Sequence, residues 1–210
     1  MNPTKITFYM APMSSATPVD SALRELDVPH ETVRLDLKAG DQRKPEFLAL
    51  NPNGKVPTMV IDGAPMHEAL AIMHFLGDRF GVEKGLWPRA GTADHRTATS
   101  WSTWAYVTLP PMLMLFNVAG GPRSPAALHH PPLVDFALAE LRQRFGALEA
   151  HLADRPFILG ESYSLADLIV GSSLLWAQVC GAPISEFPRV QALTQRVGDR
   201  PAVRDAWQAT

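Results

Sequence analysis

The sequence has little cysteine, no long apolar run and no excess charge of one sign, and each shortage excludes a class of protein. The single cysteine, Cys180, excludes a disulfide framework and a cysteine-cluster metal site. No apolar run reaches the roughly 18 residues of a membrane-spanning helix. With 19 basic and 21 acidic residues, the chain lacks the basic excess of nucleic-acid binders. The first ten residues do not resemble a signal peptide, so we expect a cytoplasmic protein.

The composition is that of a folded protein with a substantial core. Hydrophobic residues make up 46% of the 210 residues, and charged residues make up 19%. The charged fraction is below the ~25% of typical soluble domains, which argues against disorder. The length allows one large domain or two small ones.

The first eighty residues alternate between strand and helix patterns. Apolar residues recur at every second position in 6–10 and 33–37, which predicts two strands, and a helical pattern lies between them. Thr17 before Pro18 predicts a helix N-cap. A short helix at 45–50, strands at 56–61 and 65–67 and a helix at 68–80 follow. The predicted order is β-α-β-α-β-β-α, with the first two strands parallel.

Beyond residue 91 the period-two pattern disappears. A glycine-rich stretch at 81–91 predicts a linker. Helical patterns then cover 92–118, 133–153, 164–180 and 188–208. Pro110-Pro111 must kink or break the first of these helices. The predicted fold class is an α/β domain at 1–80 joined to an all-helical domain at 92–210.

Two positions in the first domain suggest a peptide-binding surface. A cis bond at Val56-Pro57 would turn the Val56 backbone N–H and C=O towards a peptide-like ligand, although an ordinary trans proline would also begin a strand. Glu68 opens a predicted helix, whose free N–H groups suit a ligand carboxylate. Glu68 could equally be an acid that only favours the helix start.

The order of motifs resembles the cytosolic glutathione transferases. The run PEFLALNPNGKVP, followed by a hairpin and HEALAIMHFLGDRF, is similar to their glutathione-binding domain. ALRELDVPHETVRLDL fits their first helix and second strand, and the run from Phe157 to Asp167 resembles their helix-capping signature. The resemblance covers essentially the whole chain and implies a thioredoxin-like first domain, a helical second domain and a homodimer.

The resemblance also implies roles for matching residues. Val56, before the family's cis proline at Pro57, would pair through its backbone with the cysteinyl part of glutathione. Glu68 and Ala69 would receive the γ-glutamyl end, and Lys55 would contact the opposite carboxylate or the adjacent loop. The family usually has serine at the position of Ala69, so one hydroxyl contact is lost here. A typical hydrogen bond contributes about 0.5–1.5 kcal/mol.

The residue that activates the glutathione thiol is expected in the loop before the first helix. Bacterial members often carry cysteine, in a pattern similar to PxSCS, where this chain reads PMSSA. Ser15 is therefore the first candidate for the catalytic hydroxyl and Ser14 the second. The alternative is that both serines only satisfy backbone groups of the loop. Tyr9 lies two residues too early to be a confident activator.

The implied activity is conjugation of the glutathione thiolate to hydrophobic electrophiles, with glutathione as co-substrate, no metal and a detoxification role. An aromatic and methionine-rich stretch could form the electrophile pocket, although core packing explains it as well. The candidate pocket residues are Met13, Trp104, Leu109, Met112 and Phe116. The alternatives are a non-catalytic glutathione-binding or assembly module and a glutathione-dependent isomerase, dehalogenase or peroxidase. No nucleic acid or membrane partner is expected.

Overall fold

A computed structural model describes residues 4–122 and 124–208. These residues form two compact units. The first holds the described residues up to Leu86 together with those from Arg200 onward, and the second runs from Trp87 to Asp199. The junction at Leu86 and Trp87 falls inside the stretch predicted as a linker.

The first unit is built on a four-stranded mixed sheet with the strand order β2-β1-β3-β4. β1 pairs in parallel with β2, while β3 runs antiparallel to β1 and β4. The order of elements up to α3 agrees with the predicted β-α-β-α-β-β-α. The bounds are β1 Ile6–Met10, α1 Thr17–Glu25, β2 Glu31–Arg34, α2 Pro45–Leu48, β3 Thr58–Ile61, β4 Ala64–His67 and α3 Ala69–Leu76.

The alternation in β1 separates the two faces of the sheet. Ile6, Phe8 and Met10 are buried in the core of this unit. Tyr9 lies on the opposite face, where its ring packs 5.7 Å from the ring of Phe47 in α2. The chain leaves the end of β1 as a loop, and this loop leads into α1 just before Pro18.

The start of α1 differs from the prediction. Thr17 is the first helical residue and not the N-cap, which is Ala16. The turn is organised three residues earlier, because the Ser14 carbonyl accepts the Thr17 N–H at 3.0 Å and the Ser14 hydroxyl accepts the Ala16 N–H at 3.1 Å. The Thr17 hydroxyl is buried without a partner among the described residues.

The second unit is helical. Its first predicted helix is broken as expected, because α4 gives way to a π-helical turn at Trp104–Thr108 before α5 begins at Pro110. The bounds are α4 Ala93–Thr103, α5 Pro110–Ala119, α6 Pro131–His151, α7 Leu165–Val179 and α8 Pro188–Gly198.

The last predicted helix, 188–208, is two helices, and the second belongs to the first unit. α8 ends at Gly198, and α9 begins at Pro201 and runs to Gln208, packed on α1. A proline cannot continue the hydrogen-bonded ladder of α8, so the chain turns there. The Arg200 guanidinium pairs with the carboxylate of Glu25, with 2.7 Å between Nη2 and Oε2. The predicted helical domain at 92–210 therefore extends too far, because the described residues from Arg200 onward belong to the first unit.

The start of α7 has the predicted capping box. The Asp167 carboxylate accepts hydrogen bonds from the backbone N–H and the hydroxyl of Ser164, both at 2.8 Å. Its other oxygen accepts the N–H of Ile158 at 2.6 Å. Burial raises the pKa of Asp167 to about 6, and these donors act against that rise. The capping signature is therefore a structural contact inside the second unit.

Within the described residues, no helix combines the length and apolarity needed to cross a membrane. The same residues contain no group of three or more histidine, cysteine, aspartate or glutamate side chains suited to a metal ion.

Candidate active site

The loop between α2 and β3 is held by a buried asparagine. The Asn51 side chain is 1% exposed, and its Nδ2 donates to the Lys55 carbonyl at 2.8 Å and to the Thr58 hydroxyl at 3.0 Å. The Thr58 hydroxyl donates to the same Lys55 carbonyl at 3.2 Å. The Val56-Pro57 peptide bond is cis, as predicted. Asn51 therefore holds the backbone before Val56 and the Thr58 side chain after it.

Ser15 reaches this loop from the start of α1. Its hydroxyl donates to the Val56 carbonyl at 2.9 Å, which joins residues 41 positions apart. Ser15 is exposed, whereas Val56 is buried. A hydroxyl has a single proton to donate. The proton of Ser15 is used in the hydrogen bond to Val56, the backbone group that the resemblance assigns to glutathione.

Ser14 has a different environment. Its hydroxyl donates to the Ala11 carbonyl at 2.6 Å and accepts the Ala16 N–H at 3.1 Å. Both contacts are local and complete the turn into α1. The alternative interpretation, that the serines satisfy loop backbone groups, therefore describes Ser14 well. Ser15 differs because its partner lies in another loop.

The start of α3 lies in the same unit. Glu68 is the N-cap and has φ 71° and ψ 115°, which is unusual for a residue with a side chain. Its carboxylate makes no capping bond to its own helix. The N–H groups in the first turn of a helix have no intrahelical acceptor, and the first residue here is the buried Ala69. The exposed carboxylate of Glu68 and the N–H groups of the first turn therefore lie at the same end of α3.

The remaining predicted residues are divided between the two units. Lys55 is exposed in the first unit. Met13 belongs there too, with φ 52° and a side chain that is 50% exposed. The other four candidate pocket residues lie in the second unit, where two are half-buried and two are buried: Trp104, Met112, Leu109 and Phe116.

Sequence reasoning did not identify Asn51 as part of the site. The NPNG run predicts only a turn, because each of its residues favours turns. The signal that could have identified Asn51 is the adjoining KVP, since a loop with a defined backbone needs a side chain to satisfy its buried carbonyls. The hydrogen bond between Ser15 and Val56 has no signal in the sequence.

We expect Asn51→Asp to destabilise the protein at pH 7. The substitution keeps the shape but replaces two N–H donors with a carboxylate that faces the Lys55 carbonyl. Unsatisfied buried polar groups cost about 1–3 kcal/mol each, so the free energy of unfolding should fall by roughly 2–4 kcal/mol. Denaturant titration followed by circular dichroism measures this loss.

The loss from Asn51→Asp should shrink as the pH falls from 7 towards 5. Burial raises the pKa of a carboxyl group, and a group whose pKa is raised in the folded state stabilises that state below this pKa. Asn53→Asp, at an exposed position of the same loop, is the matched control and should have little effect. Equal losses in the two variants would contradict the anchoring role of Asn51.

Residues 13–79 match the family described as "Glutathione S-transferase, N-terminal domain", and residues 131–196 match "Glutathione S-transferase, C-terminal domain". The first match covers Ser15, Val56 and Glu68. The two matches together include the candidate glutathione-binding residues and most of the helical unit, whereas Trp104, Leu109, Met112 and Phe116 lie between them.

Individual relatives agree with these matches. The chain is 26% identical to the disulfide-bond oxidoreductase YfcG of Escherichia coli, over 96% of this chain and 94% of that one. It is 29% identical to the glutathione S-transferase GstB of Escherichia coli K12, over 87% of each chain.

A solved glutathione transferase from Burkholderia graminis, with two glutathione molecules bound per subunit, is 27% identical and has a TM-score of 0.84. The match covers 98% of this chain and 88% of that one. The fold, the family matches and the relatives agree, and the chain belongs to the cytosolic glutathione transferase family.

Proposed function

We propose that the protein is a glutathione transferase that conjugates the glutathione thiolate to hydrophobic electrophiles. The observation that carries this proposal is the hydrogen bond from the Ser15 hydroxyl to the Val56 carbonyl. In this bond Ser15, the candidate residue for thiol activation, contacts Val56, the candidate residue for peptide binding. Both residues belong to a chain of the glutathione transferase family. The cytoplasmic location that we expect rests on the same membership.

Three parts of the first unit would bind glutathione. The Val56 backbone pairs with the cysteinyl residue as a neighbouring strand would. The N–H groups at Ala69 and the start of α3 receive the γ-glutamyl carboxylate, and the Glu68 carboxylate, which makes no capping bond to its own helix, receives its ammonium group. Lys55, with its exposed side chain, contacts the glycine carboxylate or the adjacent loop. Pro57 fixes the direction of the backbone after Val56.

The chemistry requires a thiolate. A free thiol has a pKa near 8.5, so little thiolate exists at neutral pH, and each unit of lowering requires about 1.4 kcal/mol. The Ser15 hydroxyl can supply a charge-assisted hydrogen bond to sulfur. Ser14 is the weaker candidate because both functions of its hydroxyl are used in the turn.

Catalysis would then depend on bringing the two reactants together. A thiolate that is fixed beside an apolar electrophile reacts faster because the encounter is already made. We propose that the half-buried Trp104 and Met112 of the second unit offer apolar surface to the electrophile. Leu109 and Phe116 are buried in the second unit, so they leave little surface for an electrophile to contact.

A second candidate function is thiol–disulfide exchange, favoured by the similarity to a disulfide-bond oxidoreductase. In such a step the glutathione thiolate attacks a disulfide, a new sulfur–sulfur bond forms and the second sulfur leaves as a thiolate. The only cysteine of this chain is the buried Cys180. The exchange would therefore have to use thiols of glutathione and its partner.

The proposed function predicts saturable glutathione binding that depends on Glu68. Glu68→Gln keeps the side-chain shape but removes the charge that pairs with the γ-glutamyl ammonium group. A hydrogen bond to a charged group contributes about 1.5–3 kcal/mol, so the Kd should rise by roughly 10- to 100-fold. Calorimetric titration measures the Kd, and product analysis with aryl halides, epoxides, isothiocyanates, hydroperoxides and a small disulfide identifies the reaction.

Glu161→Gln is the matched control, because it removes an exposed carboxylate in the second unit and should leave the Kd unchanged. Absence of glutathione binding by the wild-type protein would overturn the proposal. Binding without turnover of any compound in the panel would favour a non-catalytic module. Turnover of the disulfide alone would favour the second candidate.

We also propose that the protein is a homodimer. Met114 and Val118 are four residues apart on α5 and are 70% and 42% exposed, and Val107, in the π-helical turn before α5, is 60% exposed. Phe136, near the start of α6, is 52% exposed, and α6 packs against α5. We propose that these groups form one patch, because contiguous exposed apolar patches mark surfaces that bind another protein. A second copy of the chain is the partner that the family favours.

We expect Met114→Glu to shift the protein towards monomers, because a carboxylate in an apolar interface loses its hydration without gaining a partner. Light scattering over micromolar concentrations gives the mass, for which a monomer has 23.0 kDa. Gln195→Glu adds a charge at an exposed position of α8 and is the control. A wild-type mass near 23.0 kDa would rule out the dimer.

A further inference from the structure

The C-terminal end of α1 receives two cationic side chains from distant parts of the chain. The Lys84 ammonium group donates to the carbonyl of Leu26, the C-cap residue of α1. The Arg200 guanidinium holds the Glu25 carboxylate with two hydrogen bonds, of which the one from Nη2 to Oε2 measures 2.7 Å. This pair joins residues 175 positions apart, and all of these residues belong to the first unit.

Glu25 lies where an acidic side chain needs a cation. The carbonyl groups at the end of a helix carry a partial negative charge, so an acid in the last turn is unfavourable by itself. The Glu25 side chain is also only 7% exposed, whereas that of Arg200 is 33% exposed. A buried carboxylate at this end of a helix stays there because it is paired. The placement of the C-terminal end of α1 therefore depends on Arg200.

The other contacts of α1 are less directional. Val19, Ala22 and Leu23 are buried, and both α3 and α9 pack against the helix. Apolar burial has no preferred direction, whereas a bidentate pair between a guanidinium and a carboxylate requires a defined distance and angle. The pair between Glu25 and Arg200 is therefore the contact best able to define where α1 lies along its own axis.

The opposite end of α1 carries Ser15, and the loop around Ser15 is continuous with the helix. The Ser14 carbonyl accepts the Thr17 N–H at 3.0 Å. The Ala16 carbonyl accepts the Asp20 N–H at the same distance. These bonds tie the residues on both sides of Ser15 to the first turn, so a displacement of α1 moves Ser15 with it.

The surface that Ser15 faces is held independently of α1. The Val56 carbonyl, which accepts the Ser15 hydroxyl at 2.9 Å, belongs to a loop that Asn51 braces through the carbonyl of Lys55. The distance from Ser15 to a ligand on this loop therefore follows the position of α1. A displacement of about 1 Å that begins far from the reacting atoms can lower a rate by roughly 100-fold.

We propose that Arg200 is a positioning residue, which through its pair with Glu25 holds α1 where the Ser15 hydroxyl reaches the glutathione sulfur. This inference rests on the proposed function. Arg200 touches neither the ligand nor Ser15 in this role. It acts through α1, so that a residue near the end of the chain contributes to a site built from the beginning of the chain.

The test is the double variant Glu25→Leu with Arg200→Met. Replacement of a buried ion pair by apolar side chains of similar size is often neutral or stabilising, so the protein should fold, which denaturant titration checks. With the protein saturated by glutathione, thiolate absorbance is titrated against pH. We expect the pKa of the bound thiol to rise by about one unit, a tenfold loss in the thiolate to thiol ratio. The Kd for glutathione should change less than about threefold, because Val56 and Glu68 lie outside α1.

Two further variants separate positioning from a general effect on the fold. Glu25→Arg with Arg200→Glu rebuilds the pair with its charges exchanged and should return the pKa of the bound thiol towards the wild-type value. Arg142 and Glu186 form a bidentate pair of the same kind in the second unit, at 2.7 and 2.8 Å. Arg142→Met with Glu186→Leu is therefore the matched control and should leave the thiol titration unchanged.

Three outcomes would overturn the positioning role. The first is an unchanged thiol titration in the Glu25→Leu, Arg200→Met variant, since α1 would then hold Ser15 without the pair. The second is no recovery in the charge-exchanged variant, since the effect would then come from side-chain shape. The third is a rise on adding Ser15→Ala to the Glu25→Leu, Arg200→Met variant that equals the rise in the wild-type background, since the pair would then act on another group.

Calorimetry of the wild-type protein with glutathione tests the proposed function separately. Absence of binding is a failure of the site and removes the positioning role with it. Saturable binding together with any of the three outcomes above overturns the positioning role alone.

Discussion

The hydrogen bond between the Ser15 hydroxyl and the Val56 carbonyl is the contact on which the candidate site depends. It joins the loop that leads into α1 to the loop that leads into β3. Each loop is also braced by itself, the first through Ser14 and the second through Asn51. Among the described residues, this one hydrogen bond joins the two braced loops.

The start of α3 makes a second contribution to the site by a different physical route. Glu68 adopts a positive φ, a conformation that costs about 1–3 kcal/mol and persists only where the surrounding structure requires it. That backbone leaves the carboxylate away from its own helix. Ala69, where the family usually has serine, removes one hydroxyl but keeps the backbone N–H. Binding of the γ-glutamyl end would therefore rely on backbone groups and on Glu68.

Much of the fold could be predicted because local patterns and tertiary structure agree. The alternation of Ile6, Phe8 and Met10 follows from one buried sheet face. Pro110 has no backbone N–H to continue a preceding helix but suits a first turn, so a new helix begins there. The N-cap of α1 and the position of α9 could not be predicted in this way. Ser14 replaces Thr17 as the organiser of the turn, and α9 packs on α1 from the far end of the chain. The contact between Ser15 and Val56 is likewise long-range, and residue types alone do not predict it.

The amide resonance of Val56 tests most directly whether the Val56 backbone is the ligand-binding edge of the first unit. In nitrogen-15-labelled protein titrated with glutathione, we expect the Val56 amide proton to shift downfield and to exchange more slowly with solvent as its N–H gains an acceptor. The amide of Cys180, at the end of α7, should not change. Saturation by glutathione with no change at Val56 would contradict the account, since the ligand would then be held elsewhere.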